Sequence, residues 1–311
     1  MKVIFMGTPE FAVPILEKIL TKHEVVLVVT QPDSVVGRKK EIKYSPVKEV
    51  ALKHNIKVFQ PINIRKEEDF ILQKEADIII TAAYGQIIGK RLLNHFRYKS
   101  INIHGSLLPK YRGGAPIQRA LINGDLETGI TIMYMAEKMD AGDILRQTKI
   151  PILESDNQET LFKKLSLLAS EMILPFLDDL ENGLITPIKQ DESQVSYAYN
   201  LTKEDEKIDF NKPSRMVFNQ IRGLNPNPGA YTLIDGQVLK IYDSKVTDHS
   251  HSHQPGTIIA IEKDCFVVAC GNGTSLAILE VQLAGRNKVN ANQFINGAGR
   301  NLIKIGKIIG G

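Results

Sequence analysis

The hydrophobic pattern over residues 1–150 predicts short buried strands that alternate with helices. Apolar runs rich in Val and Ile mark the strands, which are predicted at Lys2–Met6, Glu24–Thr30, Lys57–Phe59, Asp77–Thr81, Ser100–His104, Thr128–Met135 and Ile144–Ile150. Helical spacing and start signals lie between them, at Pro9–Leu20, Pro46–His54 with Ser45 as its cap, Lys66–Lys74 and Ala115–Asn123. This alternation is typical of a Rossmann-like α/β fold, a mostly parallel sheet with helices on both faces.

The second half of the chain changes character. An apolar stripe at helical spacing predicts one long helix, Gln158–Glu181. The segment 186–206 is polar and without periodicity, which predicts a linker. After it come a helix and then short alternating strands separated by Gly-containing turns, a pattern that favours a small OB-like β-barrel. We therefore expect an α/β domain over 1–185, a linker over 186–206 and a β-barrel domain over 207–311.

Composition excludes several classes of protein. The 311 residues are 43% hydrophobic and 24% charged, which is ordinary for a globular protein. No apolar run approaches the roughly 20 residues that a membrane span needs. Because the predicted strand Lys2–Met6 begins directly after Met1, there is no room for a signal peptide, and we expect a cytoplasmic protein. The two cysteines, Cys265 and Cys270, share one apolar run, which favours buried structural thiols.

Charge is distributed unevenly along the chain. The formal net charge is +4, from 39 Lys and Arg against 35 Asp and Glu. From residue 206 onward there are 12 basic and 8 acidic residues, so the preceding residues hold 27 of each sign. The excess lies wholly in the C-terminal third. A basic domain joined to a neutral one is compatible with a polyanionic partner such as nucleic acid, although an excess of this size also arises by chance.

The most informative chemistry lies at the end of the strand Ser100–His104. Asn102 and His104 are two positions apart, so their side chains point to the same face. In a Rossmann-like sheet, ligands bind beyond the carboxyl ends of the strands. An amide and an imidazole there can hold a carbonyl oxygen and handle a proton, and Asp140 could add a carboxylate from another loop. The plainer interpretation is a structural histidine and a turn aspartate. A metal site is less favoured, because no second His or Cys stands nearby at ligand spacing.

Two further segments have an open interpretation. The loop Gln31–Tyr44 contains the basic run Gly37–Lys43, which indicates either a solvated surface or contact with phosphates. Gly7–Glu10 begins like a dinucleotide-binding turn, but Pro9 replaces the second glycine of that fingerprint. It predicts either a tight turn between strand and helix or the wall of a substrate pocket, with Phe11 as an apolar contact.

These motifs together resemble a known family. Asn-Ile-His-Gly-Ser-Leu-Leu-Pro at 102–109, followed at a distance by Asp-Ala-Gly-Asp at 140–143, is similar to the 10-formyltetrahydrofolate-dependent formyltransferases. The resemblance is closest to their tRNA-directed branch, and it rests on further runs at Gly7–Phe11, Gln31–Asp33, Ser45–Lys48, Tyr111–Arg119 and Gly223–Pro226. It is close over about Val3–Ile150 and looser beyond. The chain departs from it at Ser34–Val36, where the family commonly has Arg-Pro-Ala, although Arg38 still follows Gly37.

The resemblance implies a reaction and a set of roles. The formyl group would move from N10 of 10-formyltetrahydrofolate to the amino group of methionyl initiator tRNA. Asn102 and protonated His104 would donate hydrogen bonds to the formyl oxygen, and Asp140 would orient His104 and relay the proton. The implied folate site comprises Ser106, Leu107, Leu108, Pro109, Ala83, Tyr84, Gly85, Gln86 and Ile87. The implied acceptor contacts are Thr8 and Phe11 near the methionyl group, with Arg38, Lys39 and Lys40 at the acceptor stem. Neither a covalent intermediate nor a metal is implied.

Three alternatives remain at the level of sequence. A formyltransferase for a small amine, such as an amino sugar or a glycinamide nucleotide, would keep the Asn/His/Asp group without needing the basic loop or tail. A formyltetrahydrofolate hydrolase would use water in place of the amine. A nucleic-acid-binding protein with an inactive core would not need Asn102, His104 and Asp140 intact. Nothing in the sequence demands more than a monomer.

Overall fold

The computed structural model describes residues 1–36 and 41–310. Contacts between Cα atoms divide the chain into two compact units. The first comprises Met1–Gly113, Glu127–Ile150 and Phe162–Ala198. The second comprises Gly114–Leu126, Pro151–Leu161 and Tyr199–Gly311. The three-part division that the sequence pattern predicts, with boundaries at 185 and 207, stays a prediction.

The first unit is built on a seven-stranded sheet. Its strands are β1 (Lys2–Gly7), β2 (Glu24–Val29), β5 (Val58–Phe59), β6 (Ile78–Ala82), β7 (Ser100–His104), β8 (Glu127–Tyr134) and β9 (Ile144–Pro151), while β3 (Ser34–Val36) and β4 (Glu41–Lys43) form a separate hairpin. The sheet order is β5-β2-β1-β6-β7-β8-β9. The pairs β5–β2, β2–β1, β1–β6 and β6–β7 are parallel, and β7–β8 is antiparallel. The Rossmann-like fold class is confirmed.

The centre of this sheet explains why its strands form and where a ligand can bind. All five residues of β6 are buried, and so are the last five of β1, as expected for parallel strands covered on both faces. The chain runs from β1 to β2 on one side and returns to β6 on the other. The strand order therefore reverses between β1 and β6, and a crevice opens at such a point beyond the carboxyl ends of the strands.

The helices of the first half largely follow the predicted positions. They are α1 (Val13–Leu20), α2 (Pro46–Lys53), α3 (Ile64–Glu67), α4 (Asp69–Leu72), α5 (Lys90–Leu93), α6 (Pro116–Asn123) and α7 (Gln158–Glu181). Ser45 caps α2 as predicted, because its Oγ accepts from the backbone N of Lys48 at 3.1 Å. The single helix expected at Lys66–Lys74 is instead the pair α3 and α4, and it begins earlier because the side chain of Asn63 supplies the cap.

The predicted loop Gln31–Tyr44 is partly a hairpin. Strands β3 and β4 pair antiparallel, with Val35 opposite Ile42. The base of the hairpin is held by Asp33, which accepts hydrogen bonds from Lys48 Nζ at 2.6 Å and from Gln60 Nε2 at 2.8 Å. These bonds hold the pKa of Asp33 below its usual value. Three-residue strands are too short to show a hydrophobic period, which is why the sequence pattern shows only a loop.

The second unit contains an antiparallel sheet of six strands. The strands are β10 (Ala230–Ile234), β11 (Gln237–Thr247), β12 (Ile258–Ile261), β13 (Phe266–Ala269), β14 (Ser275–Leu283) and β15 (Val289–Asn290), and the helices are α8 (Lys203–Glu206), α9 (Ser214–Leu224) and α10 (Ala291–Asn296). The strand order is β10-β11-β14-β13-β12, with β15 beside β14. Helices α6 and α9 pack against each other within this unit. A small β-rich C-terminal domain is thus confirmed.

Across the described residues, none of the helices combines the length and the apolar character needed to cross a membrane.

Candidate active site

Asn102 stands on β7 beside Thr81 of β6, and the two residues are direct neighbours in the sheet register. Thr81 Oγ1 lies 2.7 Å from Asn102 Oδ1 and donates a hydrogen bond to it. A hydroxyl that engages the carbonyl end of the amide fixes which way the amide points. The NH2 end of Asn102 consequently faces the other way, as a donor suited to a ligand oxygen.

His104 ends the same strand and is only 6% exposed. Its Nε2 lies 2.9 Å from the carbonyl oxygen of Tyr111. Because a carbonyl can only accept, Nε2 carries a proton in this arrangement. The other ring nitrogen, Nδ1, lies 3.7 Å from Asp140 Oδ2, which is longer than a normal hydrogen bond. Nδ1 is therefore the ring atom that can turn to a substrate without breaking the contact with Tyr111.

The carboxylate of Asp140 is held by a backbone N–H group, and the loop that carries it packs closely against β8. Its Oδ2 accepts from the backbone N of Gly113 at 2.8 Å. Gly142 must be a glycine, because a Cβ there would lie 1.8 Å from the carbonyl oxygen of Tyr134. The structure thus brings Asp140 to His104, as the Asn/His/Asp hypothesis requires.

Three non-glycine residues in the loops around the site have a left-handed backbone conformation. Ala83, Tyr111 and Asp140 have φ values of 48°, 64° and 50°. The left-handed region costs L-residues roughly 1–3 kcal/mol each, and such residues cluster at functional sites. Ala83 follows β6, the carbonyl oxygen of Tyr111 accepts from His104, and Asp140 carries the carboxylate of the site.

The Ser106–Pro109 loop is fixed from beneath by two side chains. Thr131 Oγ1 donates to the carbonyl oxygen of Ser106 at 2.6 Å and accepts from the backbone N of Leu108 at 3.1 Å. Gln147 Nε2 donates to the carbonyl oxygen of Leu108 at 2.7 Å. A preformed loop of this kind is a suitable pocket wall. Leu108 itself is buried.

The loop after β6 lies against the turn after β1. Thr8 Oγ1 and Gln31 Nε2 each donate to the carbonyl oxygen of Tyr84 at 3.0 Å, and Gln86 Nε2 donates to Gln31 Oε1 at 3.2 Å. Burial raises the pKa of the Tyr84 phenol. Ile87, in contrast, is exposed. Thr8 and the segment Ala83–Ile87 are thus joined at the crevice between β1 and β6.

Phe11 lies in the core of the first unit. Its side chain is 4% exposed and packs edge-on against Phe162, with ring centroids 5.3 Å apart. Its carbonyl oxygen accepts from Ser166 Oγ at 2.8 Å. The structure shows a packing role, and the predicted contact with a methionyl group stays a prediction. Arg38, Lys39 and Lys40 lie outside the described residues.

Two residues at the site are missing from the sequence prediction. Arg112 has no exposed surface and is the largest of the fully buried side chains. Its Nε and Nη2 donate to Gln190 Oε1 at 3.0 and 2.8 Å, and Nη2 also donates to Glu192 Oε1 at 2.7 Å. Hydrogen bonds from Arg112 and then from Lys138 lower the pKa of Glu192 to about 2. Arg112 lies in the run Tyr111–Arg119 on which the family resemblance rests, but Gln190 comes from the polar segment expected to be a linker, where no pattern marks it.

Among the described residues, no group of three or more His, Cys, Asp or Glu side chains is placed to hold a metal ion.

Comparisons with known proteins match both halves of the chain. Residues 1–177 match the family described as formyl transferase, and residues 200–299 match the formyl transferase C-terminal domain. The chain is 47% identical over 305 residues to a methionyl-tRNA formyltransferase of Listeria innocua, covering 97% of both chains. It is 48% identical over 304 residues to one from a Geobacillus species, covering 97% of this chain and 96% of that one.

One solved structure shares the fold at low sequence identity. An N-formyltransferase from Helicobacter canadensis, in complex with folinic acid and dTDP-3-aminofucose, aligns with a TM-score of 0.70 at 22% identity, covering 89% of this chain and 98% of that one. Together with the matches over both halves of the chain, this confirms the resemblance that the motifs indicate. The chain belongs to the formyl transferase family.

Proposed function

We propose that this protein transfers the formyl group of 10-formyltetrahydrofolate to the amino group of methionyl initiator tRNA. The observation that carries the proposal is the identity of 47% to a methionyl-tRNA formyltransferase across 97% of both chains. The site supports it, because Asn102 and His104 of strand β7 and Asp140 of a separate loop are close together, with His104 Nδ1 3.7 Å from Asp140 Oδ2.

The chemistry is a direct acyl transfer. The amine attacks the formyl carbon, a C–N bond forms to the acceptor, and the bond to N10 of the folate breaks. Negative charge develops on the formyl oxygen in between. Asn102 Nδ2 and His104 Nδ1 donate hydrogen bonds to that oxygen, each worth about 2.7–4 kcal/mol in sites of this kind. Thr81 supports this role, since it engages Oδ1 of Asn102 at 2.7 Å and leaves the NH2 end to the substrate.

Asp140 acts on His104 and on the proton that leaves the attacking amine. Its carboxylate faces the imidazole of His104, with Oδ2 3.7 Å from Nδ1, and orients the ring towards the substrate. It also accepts the proton that leaves the amine, through a water molecule, and the proton ends on N10 of the departing tetrahydrofolate. The bond from Gly113 N to Asp140 Oδ2 keeps the carboxylate directed at the site. No covalent intermediate forms on the enzyme, and no metal takes part.

The folate co-substrate lies along two loops. Ser106, Leu107, Leu108 and Pro109 form one wall and Ala83, Tyr84, Gly85, Gln86 and Ile87 the other. The support is their fixation by Thr131, Gln147 and Gln31 and their position beyond the carboxyl ends of β6 and β7. The Helicobacter canadensis relative was solved with folinic acid bound.

The acceptor is an amine carried on RNA. Thr8 and Phe11 lie on the methionyl side, and Arg38, Lys39 and Lys40 meet the acceptor stem. The C-terminal domain, which we place at 207–311 behind a linker at 186–206, holds the tRNA backbone through its excess of basic residues. The catalytic domain is 1–185. Every group named here lies on one chain, which is compatible with a monomer, and we place the enzyme in the cytoplasm, where translation uses its product.

A comparison of acceptors tests the proposal. The purified protein is mixed with 10-formyltetrahydrofolate and, separately, with methionyl initiator tRNA, a dTDP-amino sugar, glycinamide ribonucleotide or buffer alone. The proposal expects the tRNA to have the highest kcat/KM by several orders of magnitude. Preferential formylation of a small amine would show that the small amine, and not the tRNA, is the acceptor. Consumption of the folate in buffer alone at the rate seen with tRNA would indicate a hydrolase.

A further inference from the structure

Gln190 connects the loop that carries Asp140 with Arg112, which lies on the loop that follows His104. Its Nε2 donates at 2.8 Å to the carbonyl oxygens of both Asp140 and Gly142. Its Oε1 accepts from Nε and Nη2 of Arg112. The amide therefore uses both N–H groups and both oxygen lone pairs, which is its full capacity. A fully used amide fixes the groups on each side of it with respect to the other.

Arg112 makes the other end of this connection rigid. Its backbone N donates to the carbonyl oxygen of Ser196 at 2.9 Å, and its carbonyl oxygen accepts from the backbone N of Ala198 at 2.7 Å. The buried guanidinium is neutralised by Glu192 at 2.7 Å. A buried charge held by a planar, forked set of hydrogen bonds tolerates little displacement. Gln190 is thus tied to a fixed point.

The opposite end reaches the catalytic carboxylate. Gln190 holds the carbonyl oxygen of Asp140, a residue whose φ of 50° is a strained backbone conformation. Gly113, next to Arg112, holds the carboxylate through Oδ2. The backbone of Asp140 is therefore held by Gln190, and its side chain is held by the residue next to Arg112. Strain of this kind persists only where the surroundings over-determine it.

We propose that Gln190 is a positioning residue for Asp140, and that its two donated hydrogen bonds set the place of the carboxylate beside His104. The inference rests on the proposed function, since it concerns the rate of formyl transfer. The polar atoms of Gln190 are all occupied by protein groups, so it acts through the Asp140 loop. A displacement of about 1 Å at a reacting group can cost about 100-fold in rate.

Gln190→Glu tests the inference most sharply. The carboxylate keeps the shape and the two contacts with Arg112, but it cannot donate to the carbonyl oxygens of Asp140 and Gly142. Gln194→Glu is the matched control, because it makes the same charge change on the same segment at an exposed residue that bonds only with Asp191 among the described residues. We expect kcat to fall about 10- to 100-fold for Gln190→Glu, with the KM for folate and the melting temperature near those of the control. A kcat within about 2-fold of the control would overturn the inference.

A double-mutant cycle separates positioning from general packing. Single-turnover transfer is measured for Asp140→Asn alone and together with Gln190→Glu. If Gln190 acts through Asp140, the second change alters the slow residual rate less than about 2-fold. The same factor of loss in both backgrounds would show that Gln190 supports the fold and not the carboxylate. Failure of the wild type to transfer formyl would reject the proposed function instead, so the two failures are distinguishable.

Discussion

The imidazole of His104 faces the carboxylate of Asp140 across 3.7 Å, and its opposite nitrogen is engaged by the carbonyl oxygen of Tyr111. The ring is therefore fixed at Nε2 and can serve a substrate at Nδ1. Within His104, this arrangement assigns the contact with the formyl oxygen to Nδ1, and it makes the roles of the neighbouring groups testable.

Replacement of His104 should remove transfer without unfolding the protein. His104→Ala is expected to lower kcat at least about 100- to 1000-fold, the loss typical of one oxyanion donor. His95→Ala is the control, because His95 is an exposed histidine whose Nε2, within the described part of the chain, bonds to the backbone oxygen of Leu72. Both variants are compared with the wild type by formyl transfer and by circular dichroism. A His104→Ala variant that keeps its kcat would contradict the oxyanion role.

The hydroxyl of Thr81 should affect the rate of transfer by orienting the amide of Asn102. Thr81→Val keeps the shape but leaves the amide of Asn102 without the bond that fixes its orientation, so kcat should fall about 10-fold while the KM for folate stays constant. Thr81→Ser keeps the hydroxyl and should restore the rate. Equal rates for the Val and Ser variants would show that the amide is oriented by other groups.

Phe11 separates packing from substrate contact. Because the ring is buried against Phe162, Phe11→Ala should cost about 3–5 kcal/mol of unfolding free energy, measured by urea titration. Phe11→Leu should recover most of that stability. If the methionyl contact is also real, Phe11→Leu will raise the KM for the acceptor and leave the KM for folate unchanged. Full stability of Phe11→Ala would mean that the ring does not belong to the core.

The basic loop should serve the RNA and not the folate. Arg38→Ala is expected to weaken tRNA binding and to reduce the slope of log Kd against log salt by about one, the effect of one lost phosphate contact. Lys53→Ala removes a positive charge from the exposed end of α2 and is the control. Equal loss of folate and tRNA binding in Arg38→Ala would make the loop a structural part of the site.

Glu192 gives a dependence on pH with a defined direction. Arg112 and Lys138 lower its pKa from the ordinary 4.5 to about 2. A lowered pKa means that the carboxylate stabilises the fold above pH 4.5 and loses this contribution as the pH falls through about 2. Glu192→Gln should therefore be less stable than the wild type at pH 5, and the difference should shrink between pH 4.5 and 2. A difference that grows on acidification would contradict the assigned ion pair.

Much of the fold follows from local pattern. The strands β1 and β6 are nearly continuous buried apolar runs, and such runs indicate parallel strands without knowledge of their partners. The pair Asn102 and His104 is predictable because a strand repeats every two residues. Asp140 could be suggested from the sequence only as a carboxylate on another loop, because nothing local to a turn shows that it reaches a histidine at the end of a strand; its role comes with the family resemblance.

The remainder depends on tertiary contacts that leave no periodic trace. Gln190 lies in a polar segment, and its contacts with Arg112 and Asp140 join three separate parts of the chain. Helix α6 is predicted correctly as an element, yet it belongs to the second compact unit while the strands beside it in sequence belong to the first. Neither fact can be inferred from spacing along the chain.

The central claim is that formyl passes directly from the folate to an amine on RNA. The most direct measurement uses 10-formyltetrahydrofolate with an isotopically labelled formyl carbon and methionyl initiator tRNA, in a single turnover with excess enzyme. Mass spectrometry then locates the label. We predict that it appears on the α-amino nitrogen of the esterified methionine, at the rate at which tetrahydrofolate forms. Label found as free formate, or on the protein before the tRNA is added, would contradict the account.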